Sequence, residues 1–170
     1  MEHEVFLALG TNLGTRLANL CAALRSLPPD VERVAVSKVY ETPPWGFTDQ
    51  PAFLNMAVHA RTRLGPESLL RKLKTLEVEL GREPGVRWGP RLIDLDILFY
   101  DDIILNTPPL VIPHPRLHER GFVLVPLMDI APDLRHPLLG KIIRQLLADV
   151  DATGILPFSE QIETTVTPKT

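Results

Sequence analysis

Two aspartates two residues apart, Asp94 and Asp96, stand in the run Arg87-Trp-Gly-Pro-Arg-Leu-Ile-Asp-Leu-Asp-Ile-Leu98. Arg82, Arg87 and Arg91 lie beside them, and Arg116 and Arg120 follow in a second short stretch. On a strand, residues i and i+2 share a face. Both carboxylates then point one way, with Cα atoms about 6.6 Å apart at ~3.3 Å per residue. Ile93, Leu95, Ile97 and Phe99 are expected on the other side, in a core. Carboxylates are rarely buried without a partner. A pair at this spacing suits Mg²⁺, which takes few protein ligands and completes its octahedron with water and phosphate oxygens. Two such ions can stabilise both the attacking and the leaving oxygen in phosphoryl transfer. Taken alone, Asp-x-Asp on a strand is more often a solvated edge. The arginines tip the balance, because guanidinium forks match phosphate oxygens and supply countercharge for a polyphosphate.

Other residues offer binding chemistry rather than nucleophilic chemistry. Asn55 carries both a donor and an acceptor and suits the edge of an amide-like heterocycle. Phe53 and Phe122 could hold a flat ring between them. Taken alone, all three are more often sheet and core residues. Trp88 sits among the arginines as a candidate lid residue, and His114 could donate a hydrogen bond to a leaving phosphate. The phosphate loop Gly-x-x-x-x-Gly-Lys-[Ser/Thr] is absent, and Gly10-Thr-Asn-Leu-Gly14 is too short and lacks the lysine. No Gly-x-Ser-x-Gly or Ser/His/Asp arrangement is present.

The elements that must position these groups read as follows. Glu4–Leu9 is an apolar strand ended by Gly10, and Thr15–Leu27 is a helix on Leu17, Leu20, Cys21, Leu24 and Leu27, stopped by Pro28-Pro29. Val31–Thr42 is an imperfect strand and Phe53–Arg63 another, with Phe53, Asn55, Ala57 and His59 on one face. Pro66 opens a helix whose apolar face is Leu69, Leu73, Leu76 and Leu80, with Gly81 just past its end. Leu92–Tyr100 is the clearest strand. Phe122–Leu127 is expected as one more strand and Leu138–Val150 as a final amphipathic helix. Residues 43–51 and 82–91 read as loops flanking the aspartates and able to close over them. The order β-α-β-β-α-β predicts an α/β (α+β) fold: a ferredoxin-like βαββαβ core, an antiparallel sheet flanked by helices, with extra C-terminal elements. One domain is expected over 1–154, with 155–170 a frayed tail.

Composition narrows the function class. The chain has 170 residues, with 45% hydrophobic and 23% charged, enough for one core without staples. A single cysteine, Cys21, excludes an intramolecular disulfide, and no Cys/His cluster has zinc spacing. Cys21 is expected to be buried on its helix. The net charge of −3 argues against general nucleic-acid binding, although 13 of the 18 basic residues are arginine. The acidic start Met1-Glu-His-Glu is unlike a signal peptide, and no apolar run is membrane-length. A cytoplasmic location without membrane or nucleic-acid partners is expected, as a monomer, with a dimer as the alternative.

The motifs, taken together, resemble the 6-hydroxymethyl-7,8-dihydropterin pyrophosphokinase family of folate biosynthesis. The resemblance runs from about Val5 to Val150. It rests on Leu9-Gly-Thr-Asn-Leu-Gly14, Glu41-Thr-Pro-Pro-Trp-Gly46, Asp49-Gln-Pro-Ala-Phe-Leu-Asn55 and Leu76-Glu-Val-Glu-Leu-Gly-Arg82. It continues through the Arg87–Leu98 block, Ile112-Pro-His114 and Arg120-Gly-Phe122. It implies transfer of pyrophosphate from ATP to the hydroxymethyl group of the dihydropterin, with release of AMP. It further implies two Mg²⁺ ions on Asp94 and Asp96, with Arg82 and Arg91 on the phosphates as catalytic groups. The pterin would lie between Phe53 and Phe122, with Asn55, Thr42, Pro43 and Trp45 at its polar edge. Lys74, Glu77, Arg82, Trp88, Arg91, Ile97, His114 and Arg120 would face ATP. Two other readings compete. A ferredoxin-like RNA reader would need an exposed aromatic, basic sheet, where this one presents two aspartates, and a regulatory small-molecule domain would not need five arginines around a carboxylate pair. An ordinary kinase would release ADP in place of AMP.

Overall fold

The computed structural model describes residues 1–43, 49–81 and 92–162. The apolar run near the N-terminus forms β1 (His3–Thr11), and the Leu17/Leu20/Leu24 periodicity forms α1 (Arg16–Ser26). The stretch read as one imperfect strand is two, β2 (Val31–Val36) and β3 (Tyr40–Thr42). The break falls at Ser37, whose hydroxyl accepts from the Ala57 backbone N–H at 2.8 Å while its own N–H donates to the Ala57 carbonyl. Next come β4 (Phe53–Thr62), α2 (Pro66–Glu79) and β5 (Asp94–Tyr100). Pro66 takes the first turn of α2, where no N–H is needed. Gly81 follows the helix with φ +99°, a left-handed turn that favours glycine.

Both β2 and β3 pair antiparallel with β4, which pairs with β1, which pairs with β5. The sheet order is β5-β1-β4-β3, with β2 further along β4. β1 and β2 thus run parallel on either side of β4, the split βαβ arrangement of ferredoxin-like folds. Leu20, Leu24, Leu69 and Leu73 pack on one sheet face against Val5, Leu7, Leu9, Leu95 and Ile97. Each such fully buried side chain contributes roughly 1.5–3 kcal/mol.

The remaining elements are β6 (Leu105–Asn106) and β7 (Val111–Ile112), a 3₁₀ turn at Leu117–Glu119, α3 (Gly121–Ile130), α4 (Ile143–Ala148) and β8 (Leu156–Pro157). Here the structure corrects the sequence reading four times. Phe122–Leu127 is not a strand but most of α3, which packs across β4 and against α4. It is apolar all round because the sheet covers one side and α4 another, which erases the helical period. The final helix is only Ile143–Ala148. Residues 136–141 are instead a turn in which the His136 ring Nδ1 accepts from the N–H groups of Leu138 and Leu139. Phe99 does not join Leu95 and Ile97: a register shift leaves Leu98 without a partner on β1 and turns Phe99 to the α3 face. Finally, the chain beyond Gly154 is paired rather than frayed as far as Ile162, with β8 bonded to β3. Cys21 is half-buried. No helix among the described residues is long and apolar enough to cross a membrane.

Candidate active site

A cleft opens on the α3 side of the sheet, where β1 ends and β5 begins, enclosing about 800 Å³ of empty space, open solvent included. Its floor is made by small residues. Gly10 stands opposite Asp94 on one side and Asn55 on the other, and Ala8 stands opposite Asp96. The alternation of β5 turns both aspartates into the cleft while Leu95 goes to the core. Thr42 and Pro43, at the end of β3, and Phe53 and Asn55 on β4 form one wall. Arg120 and Phe122, at the start of α3, form the other, and His114 completes it.

The polar groups are held in place. The Thr42 hydroxyl donates to Asn55 Oδ1 at 2.6 Å, so the amide is oriented before any ligand arrives. A Cβ at Gly10 would come within 2.9 Å of Asn55 Nδ2, so any larger residue there must displace the oriented amide. Arg120 lies with its guanidinium 5.5 Å from the centre of the Phe122 ring. The His114 backbone N–H donates to Leu98 O, and its ring Nδ1 accepts from the Arg116 N–H at 3.2 Å. That bond puts the ring proton on Nε2. Burial first, and then the nearby Arg120 charge, pull the His114 pKa down to about 4. At neutral pH it is therefore an uncharged donor through Nε2.

Asp96 is the strained charge of the cleft. Burial, and next the Asp94 carboxylate, push its pKa from 3.8 up to about 7, against the opposing pull of Lys74 and Arg120. A divalent cation between the two carboxylates would remove that penalty. Among the described residues no group of three or more His, Cys, Asp or Glu is placed to hold an ion. The pair would supply two ligands, leaving the rest to water and phosphate oxygens, as suits Mg²⁺. A stability prediction follows. A carboxyl whose folded pKa exceeds its unfolded value holds more protons folded than unfolded, so its stability contribution is lost as pH rises between the two. Without metal, Asp96→Asn should be more stable than wild type by about 1–3 kcal/mol at pH 8. The gap should close towards pH 4. Thermal melts in a chelator test this, and equal melting curves at pH 8 would contradict the electrostatic account.

Two residues expected to face ATP, Glu77 and Ile97, do not line this cleft. Glu77 is buried on α2, where its Oε1 accepts from the Leu95 N–H at 2.8 Å and its carboxylate meets Lys74 Nζ at 3.3 Å. It anchors the strand between the two aspartates rather than lining the cleft. The Ile97 side chain is in the main core at 4% exposure, so it offers the cleft no side-chain contact. Trp45, Arg82, Trp88 and Arg91, with most of the two expected lid loops, lie outside the described residues. Ala8 and Gly10 were legible in the sequence only as strand and turn. Two small residues at i and i+2, facing the aspartates, are the signal that marks them as a floor.

Comparison with known proteins agrees with this geometry. The family model for 7,8-dihydro-6-hydroxymethylpterin-pyrophosphokinase matches residues 6–132. A 2-amino-4-hydroxy-6-hydroxymethyldihydropteridine pyrophosphokinase of Methylorubrum extorquens is 46% identical over 154 residues, covering 89% of this chain and 96% of that protein. The mitochondrial folate synthesis bifunctional protein of Arabidopsis thaliana is 50% identical over 132 residues, 76% of this chain and 24% of its own length. The chain thus spans about a quarter of that bifunctional relative. In fold, a crystal structure of wild-type Plasmodium falciparum HPPK-DHPS with pteroate superposes with a TM-score of 0.73 at 17% identity, over 88% of this chain and 44% of that one. The chain belongs to the 7,8-dihydro-6-hydroxymethylpterin-pyrophosphokinase family.

Proposed function

We propose that the protein transfers the terminal pyrophosphoryl group of ATP to the hydroxymethyl group of 6-hydroxymethyl-7,8-dihydropterin, releasing AMP, as a step in folate synthesis. One observation carries the reading. A single cleft joins a carboxylate pair with Arg120 and His114 to an oriented amide, Asn55, and two phenyl side chains, Phe53 and Phe122. The first half suits a metal-bound polyphosphate, the second a flat heterocycle with a polar edge.

In this mechanism the protein positions and stabilises rather than forming a covalent bond. Asn55, backed by Thr42, reads the pterin edge while Phe53 and Phe122 cover its faces. The hydroxymethyl oxygen is thereby aimed at the β-phosphorus, and the bond to the α-phosphate oxygen breaks. Arg120 and the neutral His114 Nε2–H face the phosphates, with Arg82 and Arg91 as further phosphate ligands. Asp94 and Asp96 would hold Mg²⁺, two ions with ATP, as ligands and not as general bases. Bound there, the metal neutralises charge on the transferring group. Lys74 contributes field at Asp96, and Glu77 keeps Leu95 in register between the two carboxylates.

AMP release should depend on the pterin carrying its hydroxymethyl group. A 6-methyl analogue should bind yet give no AMP; release of AMP with that analogue would contradict the proposed acceptor. The cleft floor gives a second expectation. Gly10→Ala pushes the Asn55 amide aside and should weaken pterin binding by about tenfold or more, since small misplacements are costly at an oriented site. Affinity for a non-hydrolysable ATP analogue should stay within about twofold. Calorimetric titration of each ligand distinguishes the two effects.

A further inference from the structure

The segment following α4 lies outside the cleft lining but touches both β3 and the start of α3. It lies beyond residues 6–132, the reach of the family match. We infer that Asp151–Ile162 is a positioning strap that sets the separation of the two walls of the pterin pocket. The inference rests on the pterin reading above and deepens it.

The strap grips the first wall at its base. β8 pairs with β3 so that Pro157 faces Tyr40 and Leu156 faces Glu41, directly before Thr42. The Gln161 side chain extends this pairing as a backbone would: its Oε1 accepts from the Val39 N–H at 2.7 Å and its Nε2 donates to the Val39 carbonyl at 2.9 Å. Its Nε2 also donates to Phe158 O, and the Phe158 N–H donates to Val39 O. Gly154 lies so near Pro43 that a Cβ would stand 3.3 Å from Pro43 Cγ. Arg16 ties the strap to the strand that carries Phe53. Its guanidinium sits 5.3 Å from the centre of the Phe158 ring, pairs with Glu41 at 2.8 Å and donates to the Ala52 carbonyl at 2.9 Å. Ala52 immediately precedes Phe53.

The other end meets the opposite wall. A Cβ on Gly121 would come within 2.8 Å of Ile155 Cδ1 and 3.2 Å of the Asp151 carbonyl. Gly121 sits between Arg120 and Phe122, so the strap backs the start of α3 at van der Waals contact. One short segment therefore fixes β3 through Val39–Glu41 and α3 through Gly121. The gap between Phe53 and Phe122 is the distance it sets.

Three variants test this: Gln161→Ala, Gly121→Ala, and Gly121→Ala combined with Ile155→Ala. Pterin and a non-hydrolysable ATP analogue are titrated separately, with a thermal melt of each variant. Gln161→Ala and Gly121→Ala should each raise the pterin Kd by about tenfold, and Gln161→Ala, which acts on the β3 wall, should leave the ATP-analogue Kd within about twofold of wild type. Adding Ile155→Ala to Gly121→Ala should restore part of the lost pterin affinity, because it removes the clashing methyl. A purely structural strap would lower the melting temperature while leaving the pterin Kd unchanged, and that result overturns the inference alone. A wild-type protein that binds no pterin would overturn the functional reading together with it.

Discussion

Asp96→Ala should lower kcat by about three orders of magnitude, ~4 kcal/mol of barrier, with the fold retained. The carboxylate stands on the cleft side of β5, where burial and Asp94 already penalise its charge. The core on the opposite face is built from Leu95 and Ile97, which the substitution does not touch. Loss of the side chain removes half of the described carboxylate pair but leaves the strand's pairing with Ala8. Asp94→Ala should behave alike, and the double variant should be little worse than either single, because the two carboxylates serve one cation site. Substantial Mg²⁺-dependent turnover by Asp96→Ala would show that the carboxylates have another role. Stopped assays with circular dichroism on the same preparations provide both readouts.

The second large effect is expected at the opposite end of the cleft. Asn55→Leu keeps the branching of the side chain and the β4 backbone bonds, but it replaces both polar atoms with methyl groups. The Thr42 hydroxyl would lose its acceptor, and a pterin edge buried there would lose its partner. Sites built to hydrogen-bond a ligand lose about 10³-fold or more when the pairing is removed, because the remaining buried groups stay unsatisfied. Pterin KM should rise by about that factor while the Kd for an ATP analogue changes little. Thr42→Val should have a smaller effect in the same direction, about tenfold, since it frees the amide without deleting it. Equal losses for pterin and nucleotide in Asn55→Leu would mean that the cleft does not divide its labour as described.

How much of this was legible in the residues depends on how each element is covered. α1 and α2 are readable because each buries one face at helical spacing, and β1, β4 and β5 because apolar runs of strand length end at turn residues. The Asp94–Asp96 pair was readable for the same reason. α3 was missed because Phe-Val-Leu-Val-Pro-Leu is buried between the sheet and α4 and so shows no period, while its β-branched residues favour a strand. Phe99 was assigned to the wrong face because a one-residue register shift reverses every side chain beyond it, and no residue type at Leu98 announces the shift. The strap reads as frayed because β8 is only two residues long and the groups that anchor it, Val39 and Arg16, are distant in sequence. The bond from the Leu95 N–H to Glu77 is not legible at all, because it is a long-range fact of packing that no local pattern encodes.

The nucleotide product decides the central claim. Purified protein with Mg-ATP and 6-hydroxymethyl-7,8-dihydropterin should form AMP and the pterin diphosphate in equal amounts, with neither appearing when the pterin is left out. Formation of ADP with a pterin monophosphate, or no pterin-dependent AMP at all, would contradict it.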